Sequence, residues 1–413
     1  MNPTSPNGSI TRRAAIRQMA AGAATTASVP RVVCAQQPSS TGSAIRLERQ
    51  ATGSEVWQVT TDKSYHSNIY CETPYCSKDS RYFVYVRKNR EQSANRYEFI
   101  TVELGTWKQE RLDVAIGGSG CAIRTDGVFY YLKQSPDGGL DLMKADLSEG
   151  KPERIYELKK EPWRSLGTVS SDGRYYVRSK TLDDKYSMFG IVLFDLEQGT
   201  EKVIDRDPFS LNAHPQIEPG QGKWVMVQHN RGGKYTPEGK RVRLVGPEGA
   251  TLYLVSIPDG KRTELEVGKP FTTPATGHEA WIGDTQEILL TVSASGDYTP
   301  EKGNLLGVKA GRPARVVAKG YRFAHVGVSR CGRFFCCDDF QGNCRIVIGS
   351  NRSGKTGVVC ESKASMRHGQ ASHPHAYLTP DLKWVVFQSD RSGFSHIHAA
   401  SVPEGMIDEL SGG

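Results

Sequence analysis

Beyond its first 35 residues the chain has no apolar run approaching the roughly 20 residues that a membrane-spanning helix needs, which excludes a helical membrane protein. None of its nine cysteines forms a Cys-x-x-Cys pair, so a zinc ribbon or a thioredoxin-type redox site is not indicated. No Gly-x-Ser-x-Gly nucleophile elbow occurs, which disfavours a serine hydrolase with a propeller lid. Acidic residues are missing from the first 35 positions. Four arginines there, Arg12, Arg13, Arg17 and Arg31, supply half of the formal net charge of +8. What remains is too mildly basic to argue for nucleic acid.

That arginine-bearing segment, with paired Arg12 and Arg13, an Ala-rich stretch and small residues around Val33-Cys34-Ala35, resembles a twin-arginine export signal. The expected division is therefore residues 1–35 as signal and 36–413 as one domain, exported to the periplasm or beyond. Loss of Cys34 with the signal would leave eight cysteines. An oxidising compartment permits a disulfide such as Cys71 with Cys76, and buried free thiols are the alternative.

Gly (43), Pro (21) and Tyr (17) are plentiful, a mixture that can bury a core yet is interrupted constantly by turns. The pattern behind it is a repeat: a turn rich in Ser, Asp, Pro and Gly, followed by an alternating aromatic or β-branched strand. Units start at Tyr75, Cys121, Gly167, His214, His278, His325 and His373. The spacing is close to the 40 to 50 residues of one four-stranded propeller blade. Second strand pairs fall between the hairpins, as in MFGIVLFDLEQGTEKVI and ATLYLVSIPDGKRTELEV. The reading is an all-β fold, a seven-bladed β-propeller. One interval is longer and holds a Gly-, Pro- and Lys/Arg-rich insertion over residues 231–250, expected as a loop above one mouth of the channel.

Four histidines, His214, His278, His325 and His373, open successive units, so equivalent phase places them around one end of the axis. His375 follows His373 by two residues and points to the same face of a strand. His229 ends the strand returning from the His214 hairpin, and Gln370 precedes His373 by three residues. Imidazole nitrogens with an amide oxygen suit Mn²⁺, Zn²⁺ or Fe²⁺. His278, Gln370, His373 and His375 are the candidate metal ligands.

The segments Thr276-Gly277-His278-Glu279-Ala280-Trp281 and Gln370-x-x-His373-x-His375, with a strand ending in His229 some 50 residues before the first of them, resemble the oligogalacturonate lyases. That resemblance spans the chain from about residue 45 onward. It implies a seven-bladed propeller holding a divalent cation, usually manganese, on His278, Gln370, His373 and His375, with His229 as catalytic base. The chain departs from the family where His229 is followed by Asn230-Arg231-Gly232-Gly233 rather than Glu-Gly-Pro, and in its export signal.

The implied reaction is β-elimination on short galacturonate oligosaccharides from pectin. A cation on the uronate carboxylate stabilises the charge left when the C5 proton is removed. His229 takes that proton, and expulsion of the C4 oxygen leaves a 4,5-unsaturated sugar. Arg231, Lys234 and Lys240 of the inserted loop are candidate carboxylate contacts. His214 and His325 are the rivals for the base. An epimerase or a lyase on another uronate polymer keeps the same machinery, while a non-catalytic propeller would leave the polar cluster without a role.

Overall fold

In the computed structural model the repeats fold as hairpins, and those of blades 1, 3 and 7 close on one recurring turn. In blade 1 the Ser77 hydroxyl donates to Asp79 at 2.5 Å, while Asp79 accepts the Arg81 N–H and Ser77 Oγ accepts the Tyr82 N–H. Ser170 with Asp172 and Thr379 with Asp381 repeat this in blades 3 and 7. Short polar side chains satisfy turn amides that no strand partner can reach, which is why Ser/Thr-x-Asp recurs in the sequence.

The structure describes residues 44–412 apart from 70–74, 89–95, 117–120, 124–125, 165–166 and 276. The expected export segment, Cys71 and Thr276 lie outside the described residues. Blade 1 holds Tyr65–Ser67, Tyr82–Lys88, Arg96–Glu103 and Gln109–Ile116; blade 2 holds Cys121–Ile123, Val128–Gln134, Leu140–Asp146 and Glu153–Leu158. In blade 3 the innermost place is a single bridge, Val169 to Tyr176, inside Tyr175–Thr181, Phe189–Asp195 and Thr200–Asp207. Blade 4 holds Gln216–Ile217, Trp224–Asn230, Ala250–Ser256 and Arg262–Glu264; blade 5 holds Glu279–Trp281, Ile288–Thr291, Leu305–Lys309 and Arg312–Ala318. Blade 6 holds Phe323–Val328, Phe334–Asp339, Arg345–Ser350 and Thr356–Glu361.

The last blade is built from both ends of the sequence. Tyr377–Leu378, Trp384–Ser389 and His396–Ser401 are followed outward by Glu55–Gln58 and Ile45–Arg49. Every pairing between these strands is antiparallel. The seam pairs Val56, Trp57 and Gln58 with Ala400, Ala399 and His398. Trp107 of blade 1 lies 5.4 Å from both Trp57 and Trp384, ring centre to ring centre, which packs aromatic surface along the seam. At the turn end of the blades, Ser80 Oγ accepts the Asp381 N–H at 2.9 Å. Arg330 reaches from the blade 6 turn to the carbonyls of Cys76, Ser77 and Lys78 in blade 1.

The inserted segment forms a small hairpin, Lys234–Tyr235 with Arg241–Arg243. It rests on blade 3, where the Arg164 guanidinium stands 4.5 Å from the centre of the Tyr235 ring. Cys76, Cys336, Cys337, Cys344 and Cys360 are buried free thiols, and Cys331 is an exposed one.

Ring closure is the feature most exposed to test. Deleting the chain through Gln58 leaves His396–Ser401 as a bare edge with its apolar face uncovered. The truncated protein is expected to lose cooperative unfolding and to associate in size-exclusion chromatography. A monomer with the parent's melting transition would show that the seam is dispensable.

His398 gives a second test. It is fully buried, stacked on Phe387 and bonded through Nδ1 to the His396 carbonyl, and burial pushes its pKa down to about 3. The unfolded chain takes up that proton near pH 6.5, so the contribution is whole above pH 6.5 and is lost as pH falls toward 3. The slope is about 1.4 kcal/mol per pH unit. Denaturant unfolding of a His398→Gln variant should show a shallower loss of stability between pH 6 and pH 4. An unchanged slope would show that the folded ring is protonated.

Candidate metal centre

Each innermost strand starts at the same end of the ring, and three consecutive blades deliver histidines there. His278 stands directly before Glu279–Trp281 in blade 5, His325 lies within Phe323–Val328 in blade 6, and His373 and His375 flank Pro374 at the start of blade 7. Ring centres lie 4.5 Å apart for His278 and His325, 4.9 Å for His325 and His373, and 4.4 Å for His325 and His375. One ring nitrogen from each of His325, His373 and His375 lies within 4.8 Å of the others.

The backbone beneath these rings is fixed by buried side chains. Asn68 donates from Nδ2 to the His375 carbonyl at 2.8 Å, and its N–H donates to Gln388 Oε1 at 2.7 Å. Gln388 donates in turn to the Gln370 carbonyl at 2.5 Å. His375 sits at φ 43°, a conformation costly for a residue with a β-carbon and held here by those bonds. On the blade 5 side, the Thr291 N–H donates to the His278 carbonyl at 2.8 Å. Next to it, Gly277 passes so close that an added Cβ would lie 1.4 Å from the Thr291 carbonyl oxygen. Only glycine fits there.

Burial depresses the pKa of His278 and His375 well below the usual imidazole value, and more mildly that of His373; the neighbouring histidines add to each shift. The rings are therefore neutral near pH 7, the form that binds metal. His373 Nδ1 is buried with no hydrogen-bond partner among the described residues. An orphaned imidazole nitrogen inside a group of closely spaced histidines fits a divalent first-row cation.

The candidates named from sequence do not all join this group. His373 and His375 are in it, and His278 adjoins it through His325, 4.5 Å away between ring centres. Gln370 is an exposed residue of the short turn Gly369–Ser372, and its carbonyl rather than its amide takes part in the bonds beneath the rings. His229 lies at the end of Trp224–Asn230 with its side chain 19% exposed, between Phe209 and Tyr253, and donates from Nε2 to Asp207 at 3.0 Å. Burial works to raise the Asp207 carboxyl, but the His229 and Arg262 hydrogen bonds outweigh it and hold it at about 2. Arg231 donates to the carbonyls of Gly249, Lys269 and Glu248, so its guanidinium ties down the base of the insertion.

The carboxylate partners of two histidines were not anticipated. His325, expected as a rival base, is the centre of the cluster, and fully buried Asp338 bonds both its N–H and its Nδ1. The clue was Asp338-Asp339 ending an otherwise apolar strand. His214 bonds through Nδ1 to the buried Glu279 carboxylate at 3.1 Å and through Nε2 to Asn212 at 3.0 Å.

This architecture is that of a seven-bladed β-propeller with a histidine group at one mouth. No protein-family model matches the sequence, and neither does any curated protein. Among solved structures the chain is similar to an oligogalacturonate lyase in complex with manganese, at TM-score 0.65 and 17% identity over 89% of this chain and 99% of that one. It is similar also to the oligogalacturonate lyase of Vibrio parahaemolyticus, at TM-score 0.64 and 20% identity over 88% and 97%. The β-propeller domain of a protease from Pyrococcus furiosus matches at TM-score 0.50 and 13% identity over 81% and 95%. At these identities the likeness establishes the fold alone.

The glycine before His278 yields a prediction. Gly277→Ala should force the Thr291 contact apart and destabilise the protein by about 1–3 kcal/mol, the usual cost of overpacking. Denaturant melts measure it, and an unchanged midpoint would mean that the backbone moves aside freely.

Proposed function

We propose that this protein is a metal-dependent lyase for short galacturonate oligosaccharides, breaking them by β-elimination. The observation that supports this most is the convergence of His278, His325, His373 and His375 on one mouth, with ring centres as close as 4.4 Å. A non-catalytic propeller has no need of clustered imidazoles held by a network of buried amides.

In this reading His278, His373 and His375 hold a divalent cation, manganese by the family resemblance, with Gln370 as the implied fourth ligand. When bound, such a cation withdraws charge from the uronate carboxylate and so acidifies C5. His229 is the base: with Nε2–H donated to Asp207, the ring presents Nδ1 as acceptor for the C5 proton. The electron pair released at C5 forms the C4–C5 double bond as the C4 oxygen leaves. Lys234 and Lys240, both exposed, are cations of the insertion open to further carboxylates, whereas Arg231 is engaged with backbone. Export through the Arg12-Arg13 signal belongs to the same proposal.

His214 is the alternative base, because the Glu279 carboxylate holds its Nδ1 and the ring lies near enough to His278 to act on it electrostatically. The test is the absorbance of the new double bond on digalacturonate. His229→Ala should lower turnover by roughly two to four orders of magnitude while leaving metal content unchanged. Near-full activity in that variant would move the base to His214, and no absorbance change on any uronate oligomer with metal-loaded protein would refute the lyase reading.

A further inference from the structure

We infer that a cation at this mouth is held by four imidazoles, with His325 in the place that the family resemblance gives to Gln370, and that Asp338 is the positioning residue for His325. The inference rests on the reading that the histidine group binds a divalent metal, and is independent of the sugar.

Asp338 is 0% exposed and His325 1%. A buried carboxylate is tolerated only with strong partners. This one spends both oxygens on one residue: Oδ1 accepts the His325 N–H at 2.6 Å and Oδ2 accepts Nδ1–H at 2.8 Å. Two bonds to one histidine fix its backbone and its ring together. They also fix the tautomer, because Nδ1 carries the proton and Nε2 is left with the lone pair. A carboxylate behind an imidazole is the usual means of orienting a metal-binding histidine and raising its basicity.

The placement of the rings agrees. His325 is the hub, within 4.9 Å of His278, His373 and His375 by ring centres, whereas His373 and His375 stand 6.0 Å apart. No ion pair between described residues joins Asp338 to an arginine or lysine, and His325 takes both of its carboxylate oxygens; its neighbour Asp339 pairs with Arg345. Gln370, by contrast, is exposed, and the bond that Gln388 makes to its carbonyl holds the turn without calling on its side chain. Exchanging an amide oxygen for a fourth imidazole also shifts the preference of the site from manganese toward zinc or iron(II).

Zinc is therefore the probe. X-ray absorption on the unmutated zinc-loaded protein should count four imidazoles. Competition with a chromophoric chelator should show zinc affinity falling about 100-fold or more in His325→Ala, about 10- to 100-fold in Asp338→Asn, and less than about threefold in Gln370→Ala. The melting temperature of each metal-free variant separates loss of ligand orientation from loss of fold, and the spectrum of the unmutated protein stands even if Asp338→Asn does not fold. Three imidazoles with one oxygen ligand, or a Gln370→Ala loss equal to that of His325→Ala, would overturn the inference while leaving the metal reading intact. Failure of the unmutated protein to bind zinc or manganese would overturn both.

Discussion

Closure of the ring is the constraint on which the rest depends. A blade is one twisted sheet with two apolar faces, and it is stable only between two neighbours. Six of the seven blades obtain theirs from consecutive segments. The seventh needs Glu55–Gln58 to return against His396–Ser401, some 340 residues apart along the chain. The residues at that seam are chosen for it: Val56, Ala399 and Ala400 are fully buried, and Trp57 and Trp384 lie either side of Trp107. Without the seam blade 7 would have no partner on one side, and blade 7 carries His373 and His375.

Closure also explains the polar chemistry beneath the histidines. At the end of the channel innermost strands begin, and their first carbonyls and amides have no sheet partner. Asn68 from blade 1 and Gln388 from blade 7 meet there only because those blades are adjacent, and each supplies bonds to backbone that water cannot reach. Thr291 and Asn304 act likewise between blades 5 and 6, where Thr291 donates to the Ala324 carbonyl and Asn304 to that of Phe323 at 2.7 Å. Each such bond contributes about 1 kcal/mol net, but leaving a buried group unmade costs about 1–3. His373 Nδ1 is among the buried side-chain atoms that have no hydrogen-bond partner among the described residues, and it belongs to the group of closely spaced histidines.

Much of the fold was legible because its determinants are local. Alternation with period two and a Ser/Thr-x-Asp turn recur in the sequence as they recur in space, so blade count and the insertion could be read from spacing. The histidines were legible as a set for the same reason: equal phase in a repeat means equal position in the ring. What each one does was not. His325 is distinguished from its equivalents by Asp338, 13 residues later, and that contact exists only in the hairpin register that pairs Val326 with Cys337. His214 and Glu279 are 65 residues apart and meet across two blades. Gln370 has the spacing of a ligand, but its exposure follows from a short turn that spacing does not specify. Arg231 reads as a free cation in a basic loop, since composition cannot say whether a guanidinium is spent on nearby carbonyls.

Two of the carboxylate-imidazole pairs, His325 with Asp338 and His229 with Asp207, show how one motif serves two chemistries under the proposed reading. Asp338 is sealed from solvent and engages His325 at two points, so proton exchange at Nδ1 would require breaking a buried charged bond; such a ring is suited to holding a ligand lone pair in one direction. Asp207 instead divides its charge, accepting from Arg262 at 2.8 Å as well as from His229 at 3.0 Å. Its hold on the imidazole is correspondingly weaker, and His229 keeps a surface open at the strand end. A base must release its proton after each turnover, which requires access and a carboxylate that steadies the cationic ring without trapping it. A metal ligand must never take one up. Difference in burial and in sharing of the carboxylate, more than in the residues themselves, therefore assigns the roles.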